Sequence, residues 1–422
     1  MTEAESALRK MSWRILPLMG IGYGIAFMDR VNISFAQRSM SADLHFSATV
    51  YGLGAGLFFL SYALFEIPAN LLLLRFGARR WMARIMLSWG VLACAMMFVR
   101  TPGQFYAMRL LLGLAEAGFF PGVIYYLTLW FPAAYRGRAI SRFYVALPLS
   151  TVVMGAIAGS LLGLGGRLGL AGWQWLFLIE GLPAVVMGFV FLVWLPDVPA
   201  RADWLSVSEK AWVAAGLAQE QDGAPAHGFG VMAALRDPVV MVFAAVNFLN
   251  LGAYYAFNLS APVLLGQATG LDDARVGYLV ALGGAAAALA MLGNGWLSDR
   301  SGERYGHLAV PLGACAAAMA LLRLTHQPGL VVAAFVLASC GNAAVAAVFW
   351  LAPSERIAPA RMAVSVPAIN CLGIVSAFLT PYVWGVVRDM TGNYRLGLSV
   401  LPIAYGLAAV LVLAMRPRRA RA

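Results

Sequence analysis

The chain has 422 residues, 61% hydrophobic and only 12% charged, with a mean hydropathy of +0.77 and a formal net charge of +11. This composition excludes an ordinary soluble domain and points to an all-α, polytopic membrane protein. Cys94, Cys315, Cys340 and Cys371 fall inside apolar runs without paired spacing, and His45, His227, His307 and His326 lie far apart. Neither a disulfide framework, a metal site nor a cofactor is expected.

Apolar runs long enough to cross a bilayer recur about twelve times, near residues 14–36, 49–74, 82–99, 104–131, 139–164, 173–195, 238–266, 276–297, 307–323, 329–353, 362–387 and 395–415. With the N terminus in the cytoplasm, 21 Lys and Arg fall on the cytoplasmic side against 7 on the other, Arg30 and Arg109 being embedded. The positive-inside rule therefore places both termini in the cytoplasm. The basic balance reports topology rather than a nucleic-acid partner.

Arg9 and Lys10 precede the first run like the start of a signal peptide, but Asp29, Arg30 and Asn32 interrupt it where a cleavage site would follow. It reads as a retained span. Gly20, Gly22 and Gly24, then Gly52, Gly54 and Gly56, supply small packing faces; the second set imitates a phosphate loop, but in an apolar helix the packing reading is favoured.

The fourth run holds Arg109 and Glu116, seven residues apart. On a continuous helix both project from one face, about 10 Å apart along the axis, with Gly113 between them opening that face to a neighbouring helix. With Asp29 and Arg30, this places two carboxylates and two guanidinium groups at membrane depth. Such groups are costly in hydrocarbon and commonly mark a substrate or proton pathway, although ion pairs locking helices together are the alternative.

Residues 196–236 form the one long polar segment, a cytoplasmic linker between an N-terminal bundle at 1–195 and a C-terminal bundle at 237–422. Within it Ser206 and Glu209 have capping-box spacing ahead of a short amphipathic helix. Arg75-Phe-Gly77-Ala-Arg79-Arg80 is echoed by Asp299-Arg300-Ser-Gly302-Glu-Arg304, and Trp130-Phe-Pro132 by Trp350-Leu-Ala-Pro353, at offsets of 225 and 220 residues. A weak repeat of this kind suits two six-helix bundles related by an axis along the membrane normal. The basic loops resemble the signature of the major facilitator superfamily; the first copy has Leu74 where the pattern has an acid, which predicts a weaker latch there.

Phe27-Met-Asp-Arg-Val-Asn-Ile, Tyr51-Gly-Leu-Gly-Ala-Gly, Phe65-Glu-Ile-Pro-Ala-Asn, Gly77-Ala-Arg-Arg-Trp, the stretch from Arg109 to Gly122, Ile179-Glu-Gly-Leu-Pro183 and the stretch from Ile369-Asn370 to Pro381-Tyr382 together resemble the anion:cation symporter family. That family includes bacterial galactonate, tartrate and phthalate type transporters and is related to sialin and the vesicular glutamate transporters. The resemblance implies twelve transmembrane helices in two pseudo-symmetric bundles and proton-coupled import of a small organic anion into the bacterial cytoplasm across the inner membrane.

By matching position, it also implies that Asp29 and Glu116 are proton-linked, and that Arg30 and Arg109 hold or gate the anion. Tyr62, Trp350 and Asn370 match cavity-lining positions; Tyr62 and Trp350 read equally as aromatic packing. Glu66 reads equally as a partner of a basic loop residue and as a participant in transport, whereas for Glu180 a structural hydrogen bond is the favoured reading. The seventh run departs from the family in lacking a tryptophan before Pro262. Its Asn250, Tyr254 and Asn258 are secondary cavity candidates, neutral polar groups suited to a hydroxylated body behind a carboxylate.

The expected partners are the small anion, protons and the bilayer, and a single chain suffices. Three alternatives use the same residues differently or not at all. An exchanger or facilitator of the same fold needs no titrating glutamate, and a sensor transports nothing. An enzyme has no zinc motif, Walker loop or nucleophile elbow to work with.

Overall fold

A hydrocarbon surround leaves backbone groups no water to bond, so a span must close its hydrogen bonds internally as helix. The computed structural model describes residues 2–221, 231–357 and 359–416, and among them regular structure is helical throughout. The helices are α1 (Glu3–Leu44), α2 (Ala48–Phe76), α3 (Ala78–Ala95), α4 (Pro102–Glu116), α5 (Phe119–Trp130), α6 (Ala133–Tyr144), α7 (Ala146–Leu162), α8 (Gly172–Trp194) and α9 (Val207–Gln221). They continue as α10 (Val231–Ala234), α11 (Pro238–Asn258), α12 (Ala261–Thr269), α13 (Asp273–Ser301), α14 (Tyr305–Leu324), α15 (Pro328–Val348), α16 (Leu351–Ser354), α17 (Pro359–Thr391) and α18 (Arg395–Ala414).

Eleven helical stretches are long and apolar enough to cross a membrane. Helix α1, 42 residues long, supplies the twelfth span; Asp29, Arg30, Asn32, Gln37 and Arg38 dilute its hydropathy. The protein is thus an all-helical, multi-pass membrane protein.

Four of the apolar runs are not single helices, and the reason is common to them. A proline has no N–H for the carbonyl four residues earlier. Pro121, Pro148, Pro262 and Pro353 withhold that bond from Ala117, Tyr144, Asn258 and Phe349, which lie at the ends of α4, α6, α11 and α15. At the first break Gly118 adopts φ +83°, a left-handed conformation for which glycine is suited. The expected continuous helix over residues 105–131 is therefore corrected to two segments, with Glu116 the last residue of the first.

The two halves pack through small residues. A Cβ on Gly52 would meet the Pro381 carbonyl, one on Gly56 the Phe378 carbonyl, and one on Gly385 the Ala48 carbonyl, so α2 and α17 lie backbone to backbone. Gly155 and Gly159 on α7 bring it equally close to Gly277, Ala281 and Ala274 on α13. All these contacts lie toward the membrane face opposite the N terminus. Toward the terminal face, Leu64, Ile67 and Leu71 on α2 and Leu289, Leu292 and Trp296 on α13 are exposed.

On the terminal face the Ser206 side chain accepts from the Glu209 amide at 3.2 Å and Glu209 accepts from the Ser206 amide at 2.8 Å, the expected capping box. Glu209 also receives Lys10 Nζ at 2.8 Å and Ser6 Oγ at 2.6 Å, tying α9 to α1. Those donors hold its carboxyl well below the usual carboxylate range, down to about 2. Trp204 stacks on Trp130 at 5.4 Å between centroids. Gly223, Pro225, Gly228 and Gly230 of the linker lie outside the described residues.

Candidate functional site

The polar centre of the first half is built where α1, α2, α3 and α4 meet. Gly113 lets α4 lie against α2, its missing side chain facing the Phe58 carbonyl and Ser61 Oγ. This brings the end of α4 beside the middle of α1. Arg30 then donates to Glu116 Oε1 from both Nε and a terminal nitrogen, at 2.8 and 2.5 Å. Glu116 is fully buried, and its second oxygen, Oε2, has no hydrogen-bond partner. The Arg30 guanidinium lies 4.8 Å from the Tyr62 ring centroid and 5.9 Å from that of Phe58, a cation–π cradle that replaces part of its hydration.

The other two charges are placed differently. Arg109 is 1% exposed, donates from Nε to the Gly54 carbonyl at 3.2 Å, and stacks on Phe58 at 4.8 Å. Asp29, buried on the opposite stripe of α1, accepts from Trp89 Nε1 at 2.9 Å and from Asn32 Nδ2 at 3.1 Å. The spacing places Arg109 and Glu116 on one face of the run; the hydrogen-bonding partner of Glu116 is Arg30, reached across helices.

A cavity of about 260 Å³ lies between the halves, walled by α1, α7, α11, α13 and α15. Asn250, Tyr254 and Asn258 all line it, joined by Ser34, Thr151, Ser339 and Asn342. Asn250 Oδ1 is buried without a donor, and Asn342 is held by Tyr405, whose hydroxyl donates to Asn342 Oδ1 at 3.1 Å. Arg30 follows Phe27 by three residues and precedes Ser34 by four, so it shares the helical stripe of these two cavity residues and flanks the cavity. Tyr255, next to Tyr254 in the wall, packs its ring at a tilt against that of Phe59 of the other half, 4.3 Å between centroids.

Of the remaining candidates, Tyr62 is buried and covers Arg30, while Trp350 sits at the start of α16 with its ring edge-on to Phe349 at 5.0 Å. Asn370 is half-buried on α17, next to Ile369, whose carbonyl accepts from Asn247. These three lie outside the cavity wall, as do Asp29, Arg30, Arg109 and Glu116, of which Arg30 shares the stripe of wall residues on α1. Glu66 is half-buried on α2, one turn beyond Tyr62.

Trp89, Phe58 and the Gly54 carbonyl were not singled out in the sequence. The one signal for Trp89 is a large indole with an N–H donor inside an apolar run, which needs a buried acceptor; a backbone carbonyl leaves no signal.

The resulting arrangement can exchange an anion for an internal carboxylate on Arg30, beside a cavity with neutral polar walls.

Comparison with known proteins agrees with this architecture. The family model described as Major Facilitator Superfamily matches residues 19–381. A protein of Agrobacterium vitis named "Putative tartrate transporter" is 40% identical over 96% of this chain and 90% of its own length. The "Putative metabolite transport protein NicT" of Pseudomonas putida is 40% identical over 96% and 93%. The "Quinolone resistance transporter" of Acinetobacter baumannii is 36% identical over 96% and 94%.

Among solved structures, an inward open xylose transporter from E. coli superposes with a TM-score of 0.79 at 15% identity, covering 97% of this chain and 98% of that one. The chain belongs to the major facilitator superfamily and is a membrane transporter, not an enzyme.

Proposed function

We propose that the protein is a proton-coupled symporter that carries a small organic anion, such as a sugar acid, dicarboxylate or aromatic carboxylate, across the bacterial inner membrane by alternating access. The observation that carries this reading is Glu116: fully buried, one oxygen on Arg30, the other without a partner. With Asp29 and Glu116 ionised and both arginines protonated, the site is neutral. An anion entering alone makes it negative, and charge in a low-dielectric region is unfavourable.

A substrate carboxylate that draws Arg30 to itself removes the cation from Glu116, which then takes up a proton more readily. Anion and proton thus favour each other's binding, as linkage requires. Asp29 is the second proton-linked carboxyl in this scheme, and the ceiling is two coupled protons. Arg109 acts on the anion at one remove, by fixing α4 against α2. Asn250, Tyr254 and Asn258 receive the hydroxylated or polar body, with Trp350 and Asn370 closing on it in other conformations. The names of the tartrate and metabolite transporter relatives support the substrate class.

In this scheme the terminal face, the richer in basic residues, is cytoplasmic, and a conformation closed at the opposite face is inward-facing. The competing reading, organic-anion exchange or facilitation without protons, uses Arg30 but gives Glu116 no proton to carry. Proteoliposomes loaded at neutral pH and diluted into acidic buffer separate the two. Symport predicts accumulation of a radiolabelled acid from a panel of tartrate, sugar acids and aromatic acids, abolished by a protonophore. Uptake that never exceeds equilibrium for any acid that binds, and ignores the protonophore, contradicts it.

A further inference from the structure

The stripe of α1 that faces away from the cavity packs on α3 and α8, and it carries a second polar cluster that the scheme above leaves half explained. Asp29 has a donor on each oxygen, Trp89 and Asn32. Glu180 on α8 is 5% exposed, and both of its carboxyl oxygens are buried without a hydrogen-bond partner. Asn32, 1% exposed, stands between the two acids; its Nδ2 serves Asp29, and its Oδ1 is buried without a donor. Three acceptor atoms of the cluster are thus without a hydrogen bond, and among the described residues the second N–H of the Asn32 amide, which faces Glu180, is the one donor left to offer them.

Such a vacancy in a buried network is expensive, and for an ionised carboxylate much more so. Among the described residues no cation pairs with Glu180: Arg30 is bonded to Glu116, and Arg109, whose Nε donates to the Gly54 carbonyl, has its charge directed toward Asp29. The ionisable group that faces Glu180 is Asp29 from α1; Cys94 on α3 lies against Gly181 instead, and its thiol donates to the Leu178 carbonyl at 3.5 Å. Helix α7 brings none, and α8 has no other charged residue. One proton on Glu180 supplies the missing donor and removes the uncompensated charge in a single step. It also keeps the balance of two carboxylates against two guanidinium groups.

We propose that Glu180 is a third proton-binding carboxyl of the first half, occupied in the present conformation, whose O–H completes the bonding of Asn32 and so holds the Asn32 amide toward Asp29. Asn32 is then a positioning residue fixed by this proton, since an amide whose oxygen is engaged can offer only its N–H₂ to Asp29. The proton is resident: it stays in place while Glu116 and Asp29 exchange theirs.

Infrared spectra of the purified full chain in H₂O and D₂O at neutral pH test the site directly. Wild type should show a carboxylic-acid C=O band that shifts in D₂O, absent in Glu180→Gln and retained in Glu116→Gln. A wild type without that band, or an E180Q protein that keeps all of it, overturns the proposal. Asn32→Ala leaves Glu180 intact, so the band should persist at a shifted frequency; an unmoved band overturns the contact.

The positioning role, which rests on the proposed proton coupling, is read from transport. Glu180→Gln keeps a donor and should retain the wild-type pH profile of uptake. Glu180→Met has none, and the profile should move to alkaline pH by up to about one unit as Asp29 loses an oriented donor. A Glu180→Met profile superimposable on wild type, with counterflow intact, refutes that role. A protein that shows no proton-driven uptake at all contradicts the symport reading and leaves the infrared result standing.

Discussion

Two arginines with the same sequence signature have different work in the structure, and lysine substitution separates them. Arg30 presents two donors to one carboxylate oxygen and flanks the cavity, so Arg30→Lys keeps the charge but loses the paired geometry. Anion affinity, measured by calorimetry or thermal shift, should fall by about tenfold or more, the equivalent of one charge-assisted hydrogen bond. Arg109 is sealed between the Gly54 carbonyl and Phe58. Arg109→Lys should chiefly lower thermal stability, by roughly 1–3 kcal/mol, with the affinity of the surviving folded protein less affected. Equal losses of affinity without destabilisation in both variants would contradict this division. The four charges were legible in the sequence because charge in an apolar run stands out. Their pairing was not, because the partners come from other helices: Trp89 is 60 residues from Asp29, and Arg30 is 86 from Glu116.

The twelve spans were legible as well, but not their ends: α1 and α17 run past the apolar stretches, and Ser47, Thr101, Asp237 and Asp272, each of which caps the helix that follows, were not singled out. The four breaks were missed although each proline was in view, because hydropathy counts a proline as one more apolar residue while the hydrogen-bond ladder does not. The first basic loop, lacking an acid of its own, is held by Asp197, which accepts from the Arg79 amide at 3.0 Å; the second uses Asp299, 2.7 Å from Arg304. Helix α2 is capped from the other half, Asp389 accepting from the amides of Ala48 and Thr49 at 3.1 and 2.7 Å. Asp389→Ala removes an N-terminal cap across the closed face, worth about 1–2 kcal/mol, a several-fold shift toward opening there. Spin labels at the exposed positions Ser47 and Asn393 should then populate a longer distance; an unchanged distribution argues against a latch. The linker helix offers a pH test. Glu209 is held down to about 2 from 4.5, so its stabilising contribution is present above 4.5 and is lost as pH falls toward 2. Glu209→Gln should therefore lower Tm at neutral pH, with the gap from wild type closing as pH approaches 2.

At the scale of the whole molecule, charge and neutral polarity are divided between the halves. Arg30, Arg109, Asp29 and Glu116 belong to the first, while Asn250, Tyr254, Asn258, Ser339 and Asn342 give the second half's cavity wall hydrogen-bonding groups without charge. The glycine contacts of α2 with α17 and of α7 with α13 hold the halves together toward the face opposite the N terminus. The central claim is that Glu116 exchanges its cation for a proton when the anion binds. Glu116→Gln imitates the protonated acid permanently, and reconstituted transport in two modes reads the consequence. The account predicts that counterflow of the anion survives while accumulation driven by an imposed pH gradient is lost. A glutamine variant that still accumulates substrate against its gradient under that pH difference would contradict it and leave Asp29 to carry the coupling.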